Sequence, residues 1–580
     1  MSEILDQQPM EQEKGKRTLW IVLGGIGAVL ILCLVAIVII ALVVDPWGII
    51  SRLRGSYDPI AQAAPPETQM FMNINLLQLQ SSDTLELVNT FAEAVGEETF
   101  EDFQDIIAEM DETVEEDTEM TFAEDVLPWI GQFAGLGFKD IVGVDVLEDD
   151  VHIFLIVEVR NKKKADEFLN EAMDRYREEN DEGFIEETYE GVTIYEINTQ
   201  YEEDRFAFGR SKDLLILSNQ SDTLKDVIDA QKGDSLADSD DYKAIVTALP
   251  KERLLTFYMS FSFFENFYEE LDLPTELENT AQLDMLKGMG MSISAVKAGL
   301  QMDYIIAYNP EKLTEEQKAI MQVDPGQPIT ASFFPKETYL YLTAEHLDRT
   351  LESLQEGLVG AVEEAEIDEA MEIFEEQFGI NPLTDFFPYL DGEWAIGIFK
   401  SPEGLLAEQL GVPLNLMLVI ESSDPDAILN AAEKIAGALE DTGQFDVLQT
   451  ETDGIQFFEL RDPYYDEGAF VYAVKDNILF ISLDVGTIEA VYGDRVSLEQ
   501  YSRYKDGWEA FPKDMRPVMY MDIEGIYRFI TENLGELSST DLEEANFLKP
   551  IKTIEIATRT VDENLMHGAL IIFIEGNNTQ

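Results

Sequence analysis

The stretch Glu190-Gly-Val-Thr-Ile-Tyr-Glu196 returns 263 residues later as Asp453-Gly-Ile-Gln-Phe-Phe-Glu459, with glycine, apolar and acidic residues at matching places. A second pair follows in the same order, Lys212-Asp-Leu-Leu-Ile-Leu-Ser218 and Lys475-Asp-Asn-Ile-Leu-Phe-Ile-Ser482. The second pair lies in predicted hairpins, with turns near Ser211–Asp213 and at Lys475–Asn477. Collinear matches at a nearly constant spacing predict that the body of this chain is a tandem duplication.

Further matches extend the repeat toward both ends of the body. They are Pro66 with Pro335 at a spacing of 269, ahead of Thr68 and Thr338, and Tyr258-Met259 with Tyr520-Met521 at 262. The turn-rich segment Val323-Asp-Pro-Gly-Gln-Pro328 separates the two copies. We therefore expect one lobe at residues 65–325 and a homologous lobe at residues 326–580.

Each copy mixes strands and helices. The predicted strands are Val151–Val159, Leu414–Glu421 and the closing strand pairs Ser292–Tyr308 and Ile551–Ile574, with hairpins at Arg205–Ser218 and Ala469–Ser482. The predicted helices are Lys163–Glu179, Asp424–Leu439 and the acidic amphipathic stretches Glu97–Glu119 and Glu352–Phe378. Strands joined by short turns favour antiparallel pairing, so the predicted class is α+β, with a mostly antiparallel sheet and helices packed on it in each lobe. Gly131 and Gly392 are expected to permit close packing in a strand or bulge.

A long apolar segment precedes the repeat. Leu19–Val44 contains 26 residues without a charge, and about 20 apolar residues suffice to cross a bilayer as a helix. We expect a cytoplasmic tail at residues 1–18, a transmembrane helix at 19–44 and a juxtamembrane linker at 45–64. The partner of residues 19–44 is then the lipid bilayer.

The flanking charges predict the orientation of this helix. Lys14, Lys16 and Arg17 precede the segment, against Arg52 and Arg54 after it, which favours a cytoplasmic N-terminus and an extracytoplasmic body. A cleaved signal peptide and a lipid anchor are the alternatives. The apolar run is longer than a signal-peptide core, and large residues precede the sole cysteine. We expect a single-pass signal-anchor in the cell membrane.

The amino-acid composition excludes some classes of binding partner. Lys plus Arg total 39 against 116 Asp plus Glu, and the net charge of −77 repels nucleic acid and other polyanions. Cations remain candidate ligands of this acidic surface. The only cysteine, Cys33, lies in the predicted span, so the body forms no disulfide. A large extracytoplasmic body without disulfides is typical of a bacterial envelope protein.

No constellation of residues predicts a reaction. His152, His346 and His567 are the three histidines, placed at a strand start, in a helix and in the last strand pair, without the mutual spacing of a zinc site. The Ser-x-x-Lys matches Ser294–Lys297 and Ser502–Lys505 lack their companion motifs. We expect no catalytic residues, no cofactor and no enzymatic activity.

Acidic clusters are the candidates for cation binding. They are Glu148–Asp150, Asp238–Asp241 and Asp462–Glu467, and none follows the EF-hand pattern. The sequence leaves metal binding open.

The anchor, the connector, the Pro-x-x-Thr opening before a strand and the doubled body resemble a bacterial domain-of-unknown-function family, numbered thirty-three fifty-two. The resemblance covers nearly all of the chain after the anchor. It implies the architecture described above. It implies no activity and no catalytic residues.

Three functions are compatible with these features. The first is a non-catalytic binding or scaffolding module of the envelope, presented to an envelope protein. The second is a carrier or chaperone for apolar ligands or lipids, with a groove lined by Met285, Met289, Met291, Phe261, Phe263, Phe264 and Phe267. The third is a carboxylate-based cell-wall hydrolase, which requires two facing acids.

Overall fold

The fold was analysed in a computed structural model of the full chain. It describes residues 58–95, 99–102, 121–141, 151–179, 183–198, 205–262, 285–314, 325–350, 364–401, 411–441, 445–462, 467–533 and 548–574, with Asp105, Ile107, Ala108, Asp111, Gln317, Lys318, Met321, Gln322, Leu406, Ala407 and Gly443. Of these residues, those within Met1–Asn89, Glu98–Leu271 and Lys287–Val296 form one compact unit, and those within Thr90–Glu97, Asp272–Leu286 and Lys297–Gln580 form a second.

The first unit is built on an antiparallel sheet. Its strands are β1 (Met70–Asn75), β2 (Ile130–Lys139), β3 (His152–Val159), β4 (Phe184–Tyr189), β5 (Val192–Ile197), β6 (Ala207–Ser211), β7 (Leu214–Ser218), β8 (Leu255–Ser260) and β9 (Leu286–Val296). They pair in the order β9-β8-β1-β2-β3-β7-β6-β5-β4. The helices of this part of the chain are α1 (Ser82–Val95), α2 (Lys162–Glu179), α3 (Ser221–Ala230) and α4 (Asp240–Ala248), with a π-helical turn at Phe122–Val126 and 3₁₀ turns at Gln78–Gln80 and Leu236–Asp238.

The second unit repeats this sheet and adds two strands. Its strands are β10 (Gly299–Tyr308), β11 (Thr338–Glu345), β12 (Glu393–Lys400), β13 (Leu414–Glu421), β14 (Asp446–Thr452), β15 (Ile455–Asp462), β16 (Glu467–Lys475), β17 (Ile478–Ser482), β18 (Arg516–Asp522), β19 (Ile551–Asp562) and β20 (Leu565–Ile574). The order is β10-β20-β19-β18-β11-β12-β13-β17-β16-β15-β14, antiparallel throughout.

The helices of the second unit complete the α+β arrangement. They are α5 (Glu364–Phe378), α6 (Pro382–Asp385), α7 (Pro425–Asp441), α8 (Val485–Val491), α9 (Ser502–Glu509) and α10 (Ile523–Asn533), with 3₁₀ turns at Ile329–Phe333 and Phe387–Tyr389. The predicted α+β class with antiparallel sheets and helices is confirmed. Helices α2 and α7 match the predicted helices within two residues at either end, and α5 matches the described part of the predicted Glu352–Phe378 helix.

The order of pairing makes the duplication visible. Strands β9, β8, β1, β2, β3, β7, β6, β5 and β4 correspond one to one with β19, β18, β11, β12, β13, β17, β16, β15 and β14. Strand β10 pairs with β20 and belongs to the second unit. The predicted lobe limits, 65–325 and 326–580, mark the sequence repeat and stay a prediction.

Equivalent polar contacts hold the two copies in the same register. Thr68 Oγ1 donates to the carbonyl of Pro65, and Thr338 Oγ1 donates to the carbonyl of Pro335, each at 2.6 Å. The repeat spacing at this point is therefore 270. The predicted spacing of 269 was wrong because the sequence offers two adjacent prolines, and only the contact shows that Pro65 rather than Pro66 is the equivalent.

The repeated acidic-glycine pair forms a turn in both copies. The β4–β5 hairpin turns at Glu190-Gly191 and the β14–β15 hairpin at Asp453-Gly454, with φ of 51° and 85° in the first and 50° and 73° in the second. Two consecutive positive φ values define a turn whose twist suits antiparallel strands and whose second position favours glycine. This is the physical reason for the glycine in the repeated sequence.

Close packing explains the repeated glycines at the starts of β2 and β12. A Cβ atom on Gly131 would lie 2.6 Å from the side chain of Glu158, and one on Gly392 would lie 2.7 Å from that of Glu421. The predicted role of Gly131 and Gly392 is confirmed.

No helix within the described residues has the length and apolar character of a membrane span. Leu19–Val44 lies outside the described residues, and its transmembrane helix stays a prediction.

Candidate functional site

The histidines occupy three unrelated places. His152 begins β3, with Nδ1 3.1 Å from a carboxylate oxygen of Asp140. His346 was predicted to lie in a helix, but it follows β11 in a left-handed conformation with φ of 58°. Its carbonyl accepts from Thr350 N, so it lies before the helical turn that follows. His567 lies in the last strand pair, as predicted.

His567 has a buried partner that the sequence did not reveal. Its Nε2 lies 2.9 Å from Asp303 Oδ1 on β10, and both side chains are buried. Arg559 Nε donates to His567 Nδ1 at 3.2 Å. Because Nδ1 accepts a hydrogen bond, the neutral ring carries its proton on Nε2 and donates it to Asp303. The three groups cross-link β10, β20 and β19 inside the second unit.

The Ser-x-x-Lys matches form no catalytic arrangement. Ser294 Oγ donates to the backbone carbonyl of Glu252 at 2.9 Å. Ser502 and Lys505 both lie exposed on α9. Neither serine is held beside a base.

The acidic clusters assemble no metal site in the part of the chain that the structure describes. No group of three or more metal-ligating side chains is present among those residues. Asp238 accepts from the backbone and hydroxyl of Ser235 in a capping box, and Asp241 lies 3.4 Å from Lys287. Glu148–Asp150 and most of Asp462–Glu467 lie outside the described residues.

An aromatic trio lies between one helix and the sheet in each unit. In the first unit, Tyr242 of α4 meets Tyr258 edge to face at 5.0 Å between ring centres and Phe71 at 6.4 Å. The second unit repeats this geometry with α9. Tyr504 meets Tyr520 at 5.4 Å and Tyr341 at 6.2 Å.

The contact between this helix and the sheet is formed by one small and one large residue in each unit, but their places on helix and strand differ. In the first unit the fully buried Ile245 of α4 occupies the space over Gly290 of β9, where a Cβ would lie 2.2 Å from it. At the equivalent positions the second unit has Gly507 on α9 and Glu555 on β19. A Cβ on Gly507 would lie 2.0 Å from Glu555 Oε1. In the first unit the helix carries the large side chain and the strand carries glycine, whereas in the second unit the helix carries glycine and the strand carries the large side chain. That large side chain is a hydrocarbon in the first unit and a carboxylic acid in the second.

Glu555 is a buried acid without a cation beside it. It is 0% exposed, and its Oε1 accepts from Thr553 Oγ1 at 3.1 Å. Burial raises the pKa of Glu555 to about 9, although the Thr553 hydrogen bond opposes the shift. The group is therefore a neutral carboxylic acid at pH 7.

Several polar atoms around Glu555 lack hydrogen-bond partners among the described residues. They are Glu555 Oε2, the hydroxyls of Tyr504 and Tyr520, and Trp508 Nε1. Burial raises the pKa of both tyrosines well above its ordinary value, so they stay neutral. Trp508 faces the Tyr504 hydroxyl without reaching hydrogen-bonding geometry.

A second buried carboxylate of this unit is fully paired. Glu393 accepts from the backbone N–H and hydroxyl of Thr330 at 2.7 and 2.5 Å, and from Arg516 at 2.5 Å. The Tyr341 hydroxyl lies 2.7 Å from Thr330 Oγ1, and Arg516 also pairs with Glu345 at 2.9 Å. Glu393 therefore has a cation and several hydrogen-bond donors beside it, in contrast to Glu555.

The opposite face of the second unit's sheet carries two continuous apolar rows. Each row crosses seven paired strands, and all fourteen side chains are partly exposed. One row is Leu418, Ile396, Leu342, Met519, Ile556, Leu570 and Met302, and the other is Leu416, Ile398, Leu340, Met521, Ile554, Ile572 and Leu300. With strands about 4.8 Å apart, each row runs for about 29 Å. We name this surface the aliphatic face.

The first unit has a shorter version of the same face. Leu136, Met72, Phe257 and Met291 form a row across β2, β1, β8 and β9, and all four are partly exposed. Leu136 and Met72 also pack against a buried core cluster. The predicted groove residues Met289 and Met291 lie on this face, on β9. Phe263, Phe264 and Phe267 of that prediction lie outside the described residues, and Met285 and Phe261 lie beyond the ends of β9 and β8. Sequence analysis found no signal for the larger face, because alternation within one strand does not show how seven strands align.

The sequence profile of the family described as "Protein of unknown function (DUF3352)" matches residues 26–573. The chain belongs to this family. The suspected resemblance is thereby confirmed over nearly the whole body. Membership in DUF3352 assigns no activity.

Solved structures give weak likenesses to this DUF3352 chain. Crystal form IV of TP0453 is 13% identical, with a TM-score of 0.23, and the match covers 44% of this chain and 82% of that one. Crystal form III of TP0453 is 11% identical, with a TM-score of 0.22, covering 46% and 85%. Among curated proteins, none matches.

Proposed function

We propose that the chain is a non-catalytic binding module of the bacterial envelope, tethered by residues 19–44 with its body outside the cytoplasm, and that its ligand is the acyl chain of a lipid. The observation that carries this proposal is the aliphatic face. Leu418 at one end packs against a buried core cluster, and the other thirteen side chains are partly exposed. Soluble proteins rarely leave apolar rows of this extent partly open to water unless the rows bind something. This reading unites the binding-module and apolar-carrier hypotheses.

The chemistry of the rows supports an acyl chain as the occupant. All fourteen side chains are aliphatic or methionine, so the rows offer no hydrogen-bond donor or acceptor. A protein partner would bring backbone and polar groups that need about one hydrogen bond per 100–200 Å² of interface. An acyl chain brings none. Each methylene group that leaves water contributes about 0.8 kcal/mol to the free energy of binding. An acyl chain extended along one row can therefore bind without polar contacts.

The predicted tether supports the same ligand. A body held at the bilayer surface by Leu19–Val44 works beside a high local concentration of lipid. The net charge of −77 disfavours anionic head groups near the body. We therefore expect lipids with neutral or zwitterionic head groups to bind best.

The hydrolase alternative gains no support from the buried acids. Glu393 and Glu555 are 6% and 0% exposed, so substrate does not reach them in this conformation. Glu393 is also held by Thr330 and Arg516. These acids support a structural role.

Binding of oleyl alcohol to the purified protein tests the proposal, measured by displacement of a fluorescent fatty-alcohol probe. Ile556→Glu places a charge in the centre of a row and is expected to weaken binding at least about tenfold. Ile373→Glu on α5 is the matched control, because Ile373 is 56% exposed and lies off the sheet. Absence of binding by the wild type, or equal losses in both variants, contradicts the proposal.

A further inference from the structure

The side chain of Glu555 is buried between the sheet and α9, and no cation of the described residues pairs with it. Across the strands lie Tyr520 of β18 and Ile571 of β20, and over it lies Gly507 of α9. Thr553 gives the one hydrogen bond.

The nearest cations of the second unit have other partners. Arg516 pairs with Glu393 and Glu345, and Arg503 pairs with Asp522 at 2.9 Å and with Glu524 at 2.7 Å. The neighbouring titratable groups that remain are the tyrosines Tyr341, Tyr504 and Tyr520, whose pKa values burial raises. None of these neighbouring groups gives a proton to Glu555 or takes one from it near neutral pH.

We propose that Glu555 is a proton-binding site that latches α9 onto the sheet of the second unit, and that loss of its proton opens this helix. The carboxylic acid fits against Gly507 because it is neutral. A carboxylate in the same place would need a cation or water. Moving α9 away is the response that admits water, since Gly507 is the residue that touches the Glu555 carboxyl oxygens.

The sign of the effect follows from proton linkage. When α9 is open, water reaches Glu555 and its pKa falls toward the ordinary value near 4.3. The closed state keeps the proton up to about pH 9. Between these limits, each unit of pH raises the ratio of open to closed helix about tenfold, and above the upper limit the ratio levels off.

The first unit provides an internal control. Ile245 and Gly290 occupy the equivalent places, and neither titrates. Helix α4 should therefore show no comparable pH dependence over the same range. Its hydroxyl contact, Tyr242 to Asp58 at 3.2 Å, involves a tyrosine whose pKa burial raises.

Amide hydrogen exchange on the full-length protein tests the latch, with rates corrected for the intrinsic effect of pH. In the wild type, protection of α9 (Ser502–Glu509) is expected to fall up to about tenfold per pH unit from about pH 6 to about pH 9. Protection of α4 (Asp240–Ala248) is expected to stay constant. Equal pH profiles for the two helices overturn the proposal without any variant.

Two variants sharpen the test. Glu555→Gln keeps the shape of the neutral acid and removes the proton, so the pH dependence of α9 is expected to vanish. The double variant Gly507→Ile with Glu555→Gly installs the pair of the first unit and is expected to give the same flat profile. A steep profile that persists in either variant contradicts the latch.

Discussion

The two units share an aromatic trio but differ in the residue that fills the space between helix and sheet. The trio of the first unit is Phe71, Tyr242 and Tyr258, and it corresponds to Tyr341, Tyr504 and Tyr520 in the second unit. The first unit fills the remaining space with hydrocarbon from the helix, and the second fills it with a carboxylic acid from the strand. Packing volume is thus conserved between the copies while polarity is free to change.

The same contrast extends to the cluster around Glu393. By repeat spacing, Leu254 in the first unit corresponds to Arg516 in the second, and Ile60 corresponds to Thr330. In the second unit Glu393 pairs with Arg516 and accepts from Thr330, whereas the neutral Glu555 has only the hydrogen bond from Thr553. The comparison predicts which substitutions harm one unit and spare the other.

The largest effect is expected from Arg516→Met. The substitution leaves Glu393 buried without its cation, and the free energy of unfolding should fall by about 3–5 kcal/mol. Urea denaturation measures the change. The matched variant Leu254→Met in the first unit should cost less than about 1.5 kcal/mol. Similar losses of unfolding free energy at the two positions would contradict the claim that the second unit has a polar interior where the first unit has an apolar one.

The next effect concerns the exchanged pair. Gly507→Ile drives a side chain into the Glu555 carboxyl group and should cost about 2–3 kcal/mol of unfolding free energy. Adding Glu555→Gly should restore most of that loss, because the pair then matches Ile245 and Gly290. Denaturation of both single variants and the double variant gives the coupling energy. Additive losses would show that the two residues do not share one space.

A smaller effect is expected from a change of one pH unit. The pKa of Glu555 is raised in the folded state, so the unfolded chain binds fewer protons than the folded chain between the two pKa values. Stability therefore decreases as pH rises, by about 1.4 kcal/mol per unit, until about pH 9. Urea denaturation of the wild type and of Glu555→Gln at two pH values in this window isolates the contribution. An equal slope in the variant would assign the dependence to other groups.

The smallest effect tests what the copies have in common. Gly191→Ala and Gly454→Ala each place a Cβ at a positive φ, of 85° and 73°. Each should reduce the unfolding free energy by about 1 kcal/mol. Thermal denaturation compares the two variants. A clear difference between them would mean that the β4–β5 and β14–β15 turns are not equivalent.

Local patterns of the sequence predicted much of this fold. The patterns of Arg205–Ser218 and Ala469–Ser482 indicated two hairpins, and β6–β7 and β16–β17 form them. The apolar alternation of Leu414–Glu421 indicated a strand with the observed limits. These features depend on neighbours within a few residues, and the repeat supplied each of them twice.

Contacts between distant residues were not predictable in the same way. His567 and Asp303 are 264 residues apart, and only the pairing of β10 with β20 brings them together. Glu555 was one acid among 116, and its burial depends on a glycine in another element. The aliphatic face arises from the register of seven strands. A single sequence records none of these relations.

The proposed function depends most directly on whether a lipid occupies the aliphatic face. Native mass spectrometry of the full-length protein, purified from the cells that produce it, measures bound lipid without a chosen probe. We predict lipid adducts on the wild type that are lost in Ile556→Glu and kept in Ile373→Glu. A wild-type protein that carries no lipid, or adducts that survive Ile556→Glu unchanged, would contradict acyl-chain binding at this face.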